Sequence, residues 1–317
     1  MFLIQEQIRL IKVGYILIIK KLQMFLKRIT LLLLIINCYK VTAQNNVDYS
    51  LYNYSLNLIN PAFAGQKKHS ELLINSKMQW VGIENAPKTS TFSLNIPLKN
   101  NIGVGVNVIN DKIFIFNQTK IALDFSYKLK ITNEHDLQFG LKALGNIYSG
   151  NINTIKTEQQ NDLFFSESIN KFSPNFTIGA AITHEDYYTH LAINNLLIDS
   201  RYSKLSSSKN ISRLNISLGG GYIFTLNNTL KLIPSTLIRI EEGVPLSFDI
   251  NSTLKINEKH RIGLSYFWNN SVSINGLLAI SNTIQLGYGY RLTTNDLSTE
   301  QNGTHEFIIL FNMDNLL

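Results

Sequence analysis

The stretch that decides the fold runs from residue 60 to residue 98 and reads NPAFAGQKKHSELLINSKMQWVGIENAPKTSTFSLNIPL. Its first six residues include a polar residue, a proline and three small residues, which predicts a turn leading into the first strand. After the turn, apolar and polar residues alternate over residues 72–80 and again over 90–98, with the period of a half-buried strand. Residues 82–87 between the two runs are typical of a loop, so the stretch predicts a β-hairpin.

The same alternation continues along the rest of the chain. With the hairpin it gives fourteen segments, at residues 72–80, 90–98, 102–108, 119–129, 137–147, 176–182, 189–195, 214–224, 230–238, 246–256, 262–268, 272–280, 284–290 and 307–311. The segments are about ten residues long, even in number, and rich in Tyr and Phe near their ends. These properties predict an all-β fold, a transmembrane outer-membrane β-barrel of about 14 antiparallel strands.

The connections between the segments differ in length according to their parity. If the N-terminus is periplasmic, the periplasmic turns are short (99–100, 132–135, 185–186, 227–228, 257–260 and 281–282), and the other side carries long loops at 149–173, 199–212 and 293–302. Outer-membrane barrels show this sorting. A secreted β-sandwich, the alternative all-β fold, has no reason to show it and would bury each apolar face against a second sheet.

The first 43 residues have the sequence pattern of a leader that precedes the folded protein. Lys27 and Arg28 precede an apolar run at 29–38, and Val41-Thr42-Ala43 resembles a cleavage site, so 24–43 is predicted to be a signal peptide and 1–23 an upstream extension. A membrane-spanning anchor is the alternative, but its apolar runs are shorter than the ~20 residues that a span needs.

Without the leader, the composition no longer points to nucleic acid. Residues 1–43 hold seven of the 29 Lys and Arg but one of the 22 Asp and Glu, so the remainder is close to neutral. They also hold the single cysteine, Cys38, which leaves no disulfide or thiolate chemistry for the exported part.

We expect residues 44–69 to form a periplasmic or plug segment and residues 70–317 to form the barrel. Within the segment, Tyr49, Tyr52, Leu56 and Ile59 recur at helical spacing, which predicts a short amphipathic helix before the turn at 60–65. A fourteen-stranded barrel is intermediate between filled and open barrels, so we expect the segment to narrow it.

The polar face of the strands carries nine glycines: Gly103, Gly105, Gly140, Gly179, Gly219, Gly221, Gly263, Gly287 and Gly289. They predict either a socket that accepts a polypeptide or simply the curvature and space that barrel closure requires. Asp124 and Lys120 share the same polar phase, and we expect them to form a charge pair in the lumen.

Catalytic and metal-binding constellations are hard to find. The six histidines (His69, His135, His184, His190, His260 and His305) lie mostly at strand ends or turns, and no two have a metal-ligand spacing on one helix. The sequence predicts no catalytic, metal or cofactor site, and so no enzyme; an outer-membrane hydrolase would need a Ser or Asp beside a His at the rim.

Several short motifs carry a family resemblance. They are Asn60, Pro61, Ala62, Phe63, Ala64 and Gly65; residues 77–82 with Gln79, Trp80 and Gly82; Ala86, Pro87 and Thr89; Pro97; and residues 102–105 and 109–113. In order and spacing they resemble the PorP/SprF family of type IX secretion system outer-membrane proteins, over roughly residues 46–312. The chain has Lys77 where that family commonly has Arg, and Asn85 and Phe114 where it commonly has Gly.

The resemblance implies a non-enzymatic outer-membrane component of the type IX secretion system, linked to gliding motility in some relatives. It implies as partners outer-membrane lipid, an adhesin with a C-terminal sorting domain, and periplasmic secretion machinery. The motif residues would then have structural or partner-binding roles. The alternative is a general porin or small-solute channel, in which the loop at 149–173 would fold inward.

Overall fold

The computed structural model describes residues 52–150, 169–197, 214–294 and 300–313. The predicted leader, Tyr49 and most of the three predicted long loops lie outside these residues. Within the described residues, no helix has the length and apolar character needed to cross a membrane.

Fourteen antiparallel strands make up the described chain. They are β1 (Ser70–Met78), β2 (Lys88–Pro97), β3 (Ile102–Ile113), β4 (Phe116–Lys130), β5 (Asp136–Gly150), β6 (Ile169–Thr183), β7 (Tyr187–Asn194), β8 (Asn215–Tyr222, continued after Ile223 as Phe224–Thr225), β9 (Leu230–Glu241), β10 (Ser247–Ile256), β11 (His260–Phe267), β12 (Ser271–Ala279), β13 (Ile284–Thr293) and β14 (Thr304–Met313). Each matches one predicted segment. The prediction of the strands is therefore confirmed.

The sheet closes into a barrel. Every strand pairs with the next in sequence, and β14 returns to pair with β1 from Ser70↔Met313 to Met78↔His305. Closure gives each of these strands a paired neighbour on both sides, as a sheet in lipid requires. The hairpin β5–β6 is longer than predicted, because both strands have fifteen residues and take in both ends of the predicted loop at 149–173.

The side chains alternate between an apolar outer face and a largely polar lumen, in which Leu73, Leu277, Ile308 and Leu310 form an apolar cluster. On β4, Leu123 is 60% exposed while its neighbour Asp124 is buried. The same division holds on β1, where Ile74 faces outward and Asn75 inward. The polar phase of the sequence is therefore the lumen phase.

The N-terminal segment forms three single turns of 3₁₀-helix at Tyr52–Tyr54, Leu56–Leu58 and Pro61–Phe63. The prediction of one amphipathic helix was wrong for its described part. Ser55 has an extended φ of −148°, and Asn60 is extended because Pro61 follows it, so each interrupts helical geometry.

Candidate functional site

A row of small residues crosses five neighbouring strands on the lumen face. Gly103 on β3 lies opposite Ser126 on β4, Ser126 opposite Gly140 on β5, Gly140 opposite Gly179 on β6, and Gly179 opposite Ala192 on β7. We call these five residues the small-residue row. In one register they form a shallow depression across the wall, which admits a second backbone.

The N-terminal segment fills this depression. A Cβ atom on Gly103 would overlap the carbonyl of Ala64, and one on Gly140 would overlap the backbone of Ala62. A Cβ atom on Gly179 would overlap the side chain of Asn60. These three glycines therefore accept the chain's own motif residues, whereas Gly263 and Gly219 face side chains of the barrel wall.

Asn60 fixes the segment to two strands. Its side-chain oxygen accepts a hydrogen bond from the Ala62 amide at 2.9 Å and caps the third turn. Its side-chain amide donates to the carbonyls of Ala180 on β6 at 3.2 Å and Leu191 on β7 at 3.0 Å. Asn60 is fully buried, so each of these bonds replaces one that water would otherwise supply.

Lys142 on β5 holds the preceding turn. Its ammonium donates to the carbonyls of Asn57 at 2.9 Å and Leu58 at 3.2 Å, and lies 3.5 Å from the carboxylate of Asp124 on β4. Both charged side chains are buried. The predicted pair of Asp124 with Lys120 was wrong, because residues four apart on one strand are separated by ~13 Å, whereas Lys142 is the residue directly opposite Asp124.

A side-chain network surrounds Asn57. Its amide donates to Ser93 on β2 at 3.1 Å and to Asn107 on β3 at 3.0 Å. Asn107 in turn donates to Asp124 at 2.7 Å. The Asp124 carboxylate on β4 thus contacts side chains of both neighbouring strands, β3 and β5. Its charge is shared between the ion pair with Lys142 and the hydrogen bond from Asn107.

The first turn contacts the opposite wall. The Tyr52 hydroxyl accepts a hydrogen bond from Asn251 on β10 at 2.5 Å, and the Tyr54 hydroxyl donates to Asn275 on β12 at 2.7 Å. Burial raises the pKa of Tyr54 to about 12, although the guanidinium of Arg261, 5.5 Å from its ring centroid, acts in the opposite direction. The phenol therefore stays protonated and keeps its donor role.

Residues 52–64 thus contact strands on both sides of the lumen. Together with the small-residue row and the Lys142 network, we call the arrangement the lumen seat. The last contact is Ser126, whose hydroxyl donates to the Ala64 carbonyl at 2.6 Å. Phe63 packs edge-on against Tyr188 and His190, with ring centroids 6.1 and 5.3 Å away.

The remaining motif residues lie at the other end of the β1–β2 hairpin. Gln79, Trp80, Gly82, Ala86 and Pro87 form the connection, in which the Gln79 amide donates to the Pro87 carbonyl at 2.9 Å. Trp80 and Gly82 have positive φ angles of 49° and 103°. Thr89 instead faces the lumen, where its hydroxyl donates to Asp111 at 2.7 Å. The structure therefore divides the motif between two places.

A cavity of about 330 Å³ lies beside this connection, next to the β3–β4 turn. Asn85 and Phe114 line it, and both have positive φ angles, 58° and 54°. The resemblance to the PorP/SprF family leads us to expect glycine at these two positions. Their backbone is left-handed, which is a conformation that glycine adopts most easily.

Within the described residues, no group of three or more His, Cys, Asp and Glu side chains could hold a metal ion. The turn with His184 and Asp186 meets His135 and Glu134, and His184 lies 3.8 Å from the Glu134 carboxylate. The His135 ring contacts the Tyr187 hydroxyl at 2.8 Å. The cluster contains no serine or cysteine nucleophile, so it has the composition of a polar turn.

Comparisons with known proteins identify one family and several solved structures. The model of one family, described as "Type IX secretion system membrane protein PorP/SprF", matches residues 41–311. A comparison with curated proteins found no match. Similar solved structures include the outer membrane protein Omp33 of Acinetobacter baumannii (8% identity, 78% of this chain and 100% of that chain, TM-score 0.47) and the toluene transporter TodX of P. putida (9% identity, 81% and 93%, TM-score 0.49).

A Pseudomonas aeruginosa FadL homologue is also similar, with 10% identity over 80% of this chain and 92% of that chain and a TM-score of 0.45.

Proposed function

The chain belongs to the PorP/SprF family of type IX secretion system membrane proteins, and from this premise we propose that it assists the secretion or surface attachment of a partner adhesin. The protein resides in the outer membrane. We propose that its role is non-enzymatic and rests on binding a C-terminal sorting domain of the adhesin, in a system that drives gliding motility in some relatives.

One observation carries the choice of binding over conduction: residues 52–64 occupy the lumen. In the lumen seat, Lys142 and Ser126 of the wall donate to backbone carbonyls of the segment, Asn60 of the segment donates to a carbonyl of the wall, and the glycines leave room for the segment. A diffusion porin needs a water-filled lumen. The buried polar groups that hold the segment in the lumen therefore support a barrel that binds a partner at its surface over one that conducts solutes.

The orientation of the barrel follows from its connections. Both ends of the closed barrel, Ser70 and Met313, lie on the side of the short turns, and the longest connections leave the opposite side. We assign the short-turn side to the periplasm. The adhesin would then contact the long loops or the outer mouth, and the chain preceding residue 52 would face the periplasmic secretion machinery.

The test is purification of the full-length protein from outer membranes in mild detergent, with identification of what co-purifies. We expect a large surface protein with a C-terminal sorting domain, and a matched sample in which the sorting domain alone is deleted should lose it. Recovery of the barrel alone from both samples, together with ion conductance in planar bilayers, would contradict the proposal and support the porin.

A further inference from the structure

The cavity beside the β1–β2 connection opens on the outer face of the barrel. Met78, Lys88 and Lys112, which line it, belong to the outward phase of β1, β2 and β3. Its apolar wall comes from Met78, Val81, Ile83 and Phe114, and the last two are 38% and 47% exposed. We call this cavity and its two lysines the rim cleft.

Two lysines face each other across the cleft. Lys88 lies directly opposite Lys112 in the β2–β3 ladder, and both are exposed. Like charges at directly opposite positions repel and destabilise a sheet. Among the described residues neither lysine has a carboxylate within ion-pair distance, and Glu84 in the same connection does not line the cavity. The pair is thus suited to an anion from outside the chain.

The cleft lies where the apolar belt of the barrel ends. Below the lysine row is a polar outward row of Ser76, Ser90, Asn110 and Thr119, and below that an apolar row of Ile74, Phe92, Val108 and Ile121. This order of apolar, polar and basic rows matches the order of acyl chains and headgroups in a leaflet. By the orientation argued above, the leaflet is the outer one.

The cleft is held open by backbone bonds to neighbouring elements. The Phe114 amide donates to the Asn85 carbonyl at 3.1 Å, which joins the two connections. Val81 exchanges two backbone bonds with residues 302 and 303, at 2.7 and 3.0 Å. A cavity formed by such contacts is pre-organised, so a ligand need not order it.

We propose that the rim cleft binds the phosphorylated headgroup of an outer-leaflet lipid. The phosphate lies between Lys88 and Lys112 and neutralises their repulsion, the rest of the headgroup contacts Phe114 and Ile83 in the cavity, and the acyl chains extend toward the apolar row of Ile74, Phe92 and Val108. A peptide carboxylate has the same charge sign, but the cleft opens sideways, at the level of the headgroups, which favours the lipid.

The experiment is titration of the purified full-length protein with bis-phosphorylated lipid A, with bound lipid counted by native mass spectrometry. The K88Q/K112Q variant removes both charges, and K99Q/K259Q, which removes two exposed lysines at the opposite end, is the matched control. At about 1 kcal/mol per lysine near a lipid surface, we expect affinity to fall about thirtyfold in the first variant only.

Two further measurements separate charge from cavity. Dephosphorylated lipid A should bind the wild type as weakly as lipid A binds K88Q/K112Q. A86W should fill the cavity and weaken binding while both lysines remain. Wild-type affinity for lipid A in K88Q/K112Q, or tight binding of dephosphorylated lipid A to the wild type, would overturn the proposal. So would a K88Q/K112Q variant that loses a bound polypeptide while its lipid binding is unchanged, because the cleft would then bind a peptide.

Discussion

The two halves of the family motif lie in regions that differ in how their polar groups are satisfied. In the lumen seat, Asn60 is fully buried and makes three hydrogen bonds within the chain. In the rim cleft, Lys88 and Lys112 are exposed and face each other without a counter-charge among the described residues. The buried half binds the chain itself, whereas the exposed half remains available to other molecules.

The largest expected effect comes from closing the small-residue row. In G140A/G179A the new methyl groups overlap the backbone of Ala62 and the side chain of Asn60, and overpacking of this kind costs about 1–3 kcal/mol per site. We expect a thiol placed by A62C to be labelled at least about tenfold faster in this background. G276A is the matched control, because its Cβ would meet only the Arg261 carbonyl at 3.7 Å. Unchanged labelling in G140A/G179A would contradict the claim that the small-residue row holds the segment in the lumen.

Next in size is the buried ion pair. K142M leaves the Asp124 carboxylate buried without its cation and also removes two bonds to the segment, so we expect a loss of about 3 kcal/mol in the urea unfolding of the folded barrel. D124N in the same chain should restore part of the loss. K120M is the control. A loss of stability as large as that of K142M would support the charge pair of Lys120 with Asp124 that the sequence predicted.

A smaller effect separates the two functions of Asn60. N60A should cost about 2 kcal/mol, because the helix cap and both carbonyl contacts are lost. N60S keeps a capping hydroxyl but is too short to reach Ala180 and Leu191, so we expect about half that loss. Urea midpoints of the two variants measure the difference, and equal midpoints would assign the whole effect to the carbonyl contacts.

The smallest effect lies at the rim cleft. F114G should stabilise the protein by about 1 kcal/mol, because a bulky side chain is strained at a φ of 54°. N85G should change stability by only a few tenths, since Asn tolerates the left-handed region. Thermal unfolding of both variants tests this. A destabilised F114G would mean that the contacts of the Phe114 ring exceed the strain.

The sequence predicted the fourteen strands and the polar lumen because alternation records only which face each residue is on. It did not predict that Lys142, rather than Lys120, faces Asp124, since that depends on the register of β4 against β5. The role of Gly140 and Gly179 depends in the same way on the register of β5 against β6, which places them directly opposite each other. The three 3₁₀ turns were missed because the prediction used helical spacing alone, whereas the extended backbone of Ser55 and of Asn60, which precedes Pro61, separates the turns.

The most direct test of the central claim is single-channel conductance in planar bilayers at neutral pH. It compares the full-length protein with a variant that lacks residues 44–64, after both show the heat-modifiable migration of folded barrels. If the chain's own segment closes the lumen, the full-length protein should conduct poorly, and the deletion variant should show large, uniform steps. Equal large steps from both proteins would contradict the claim and favour a porin.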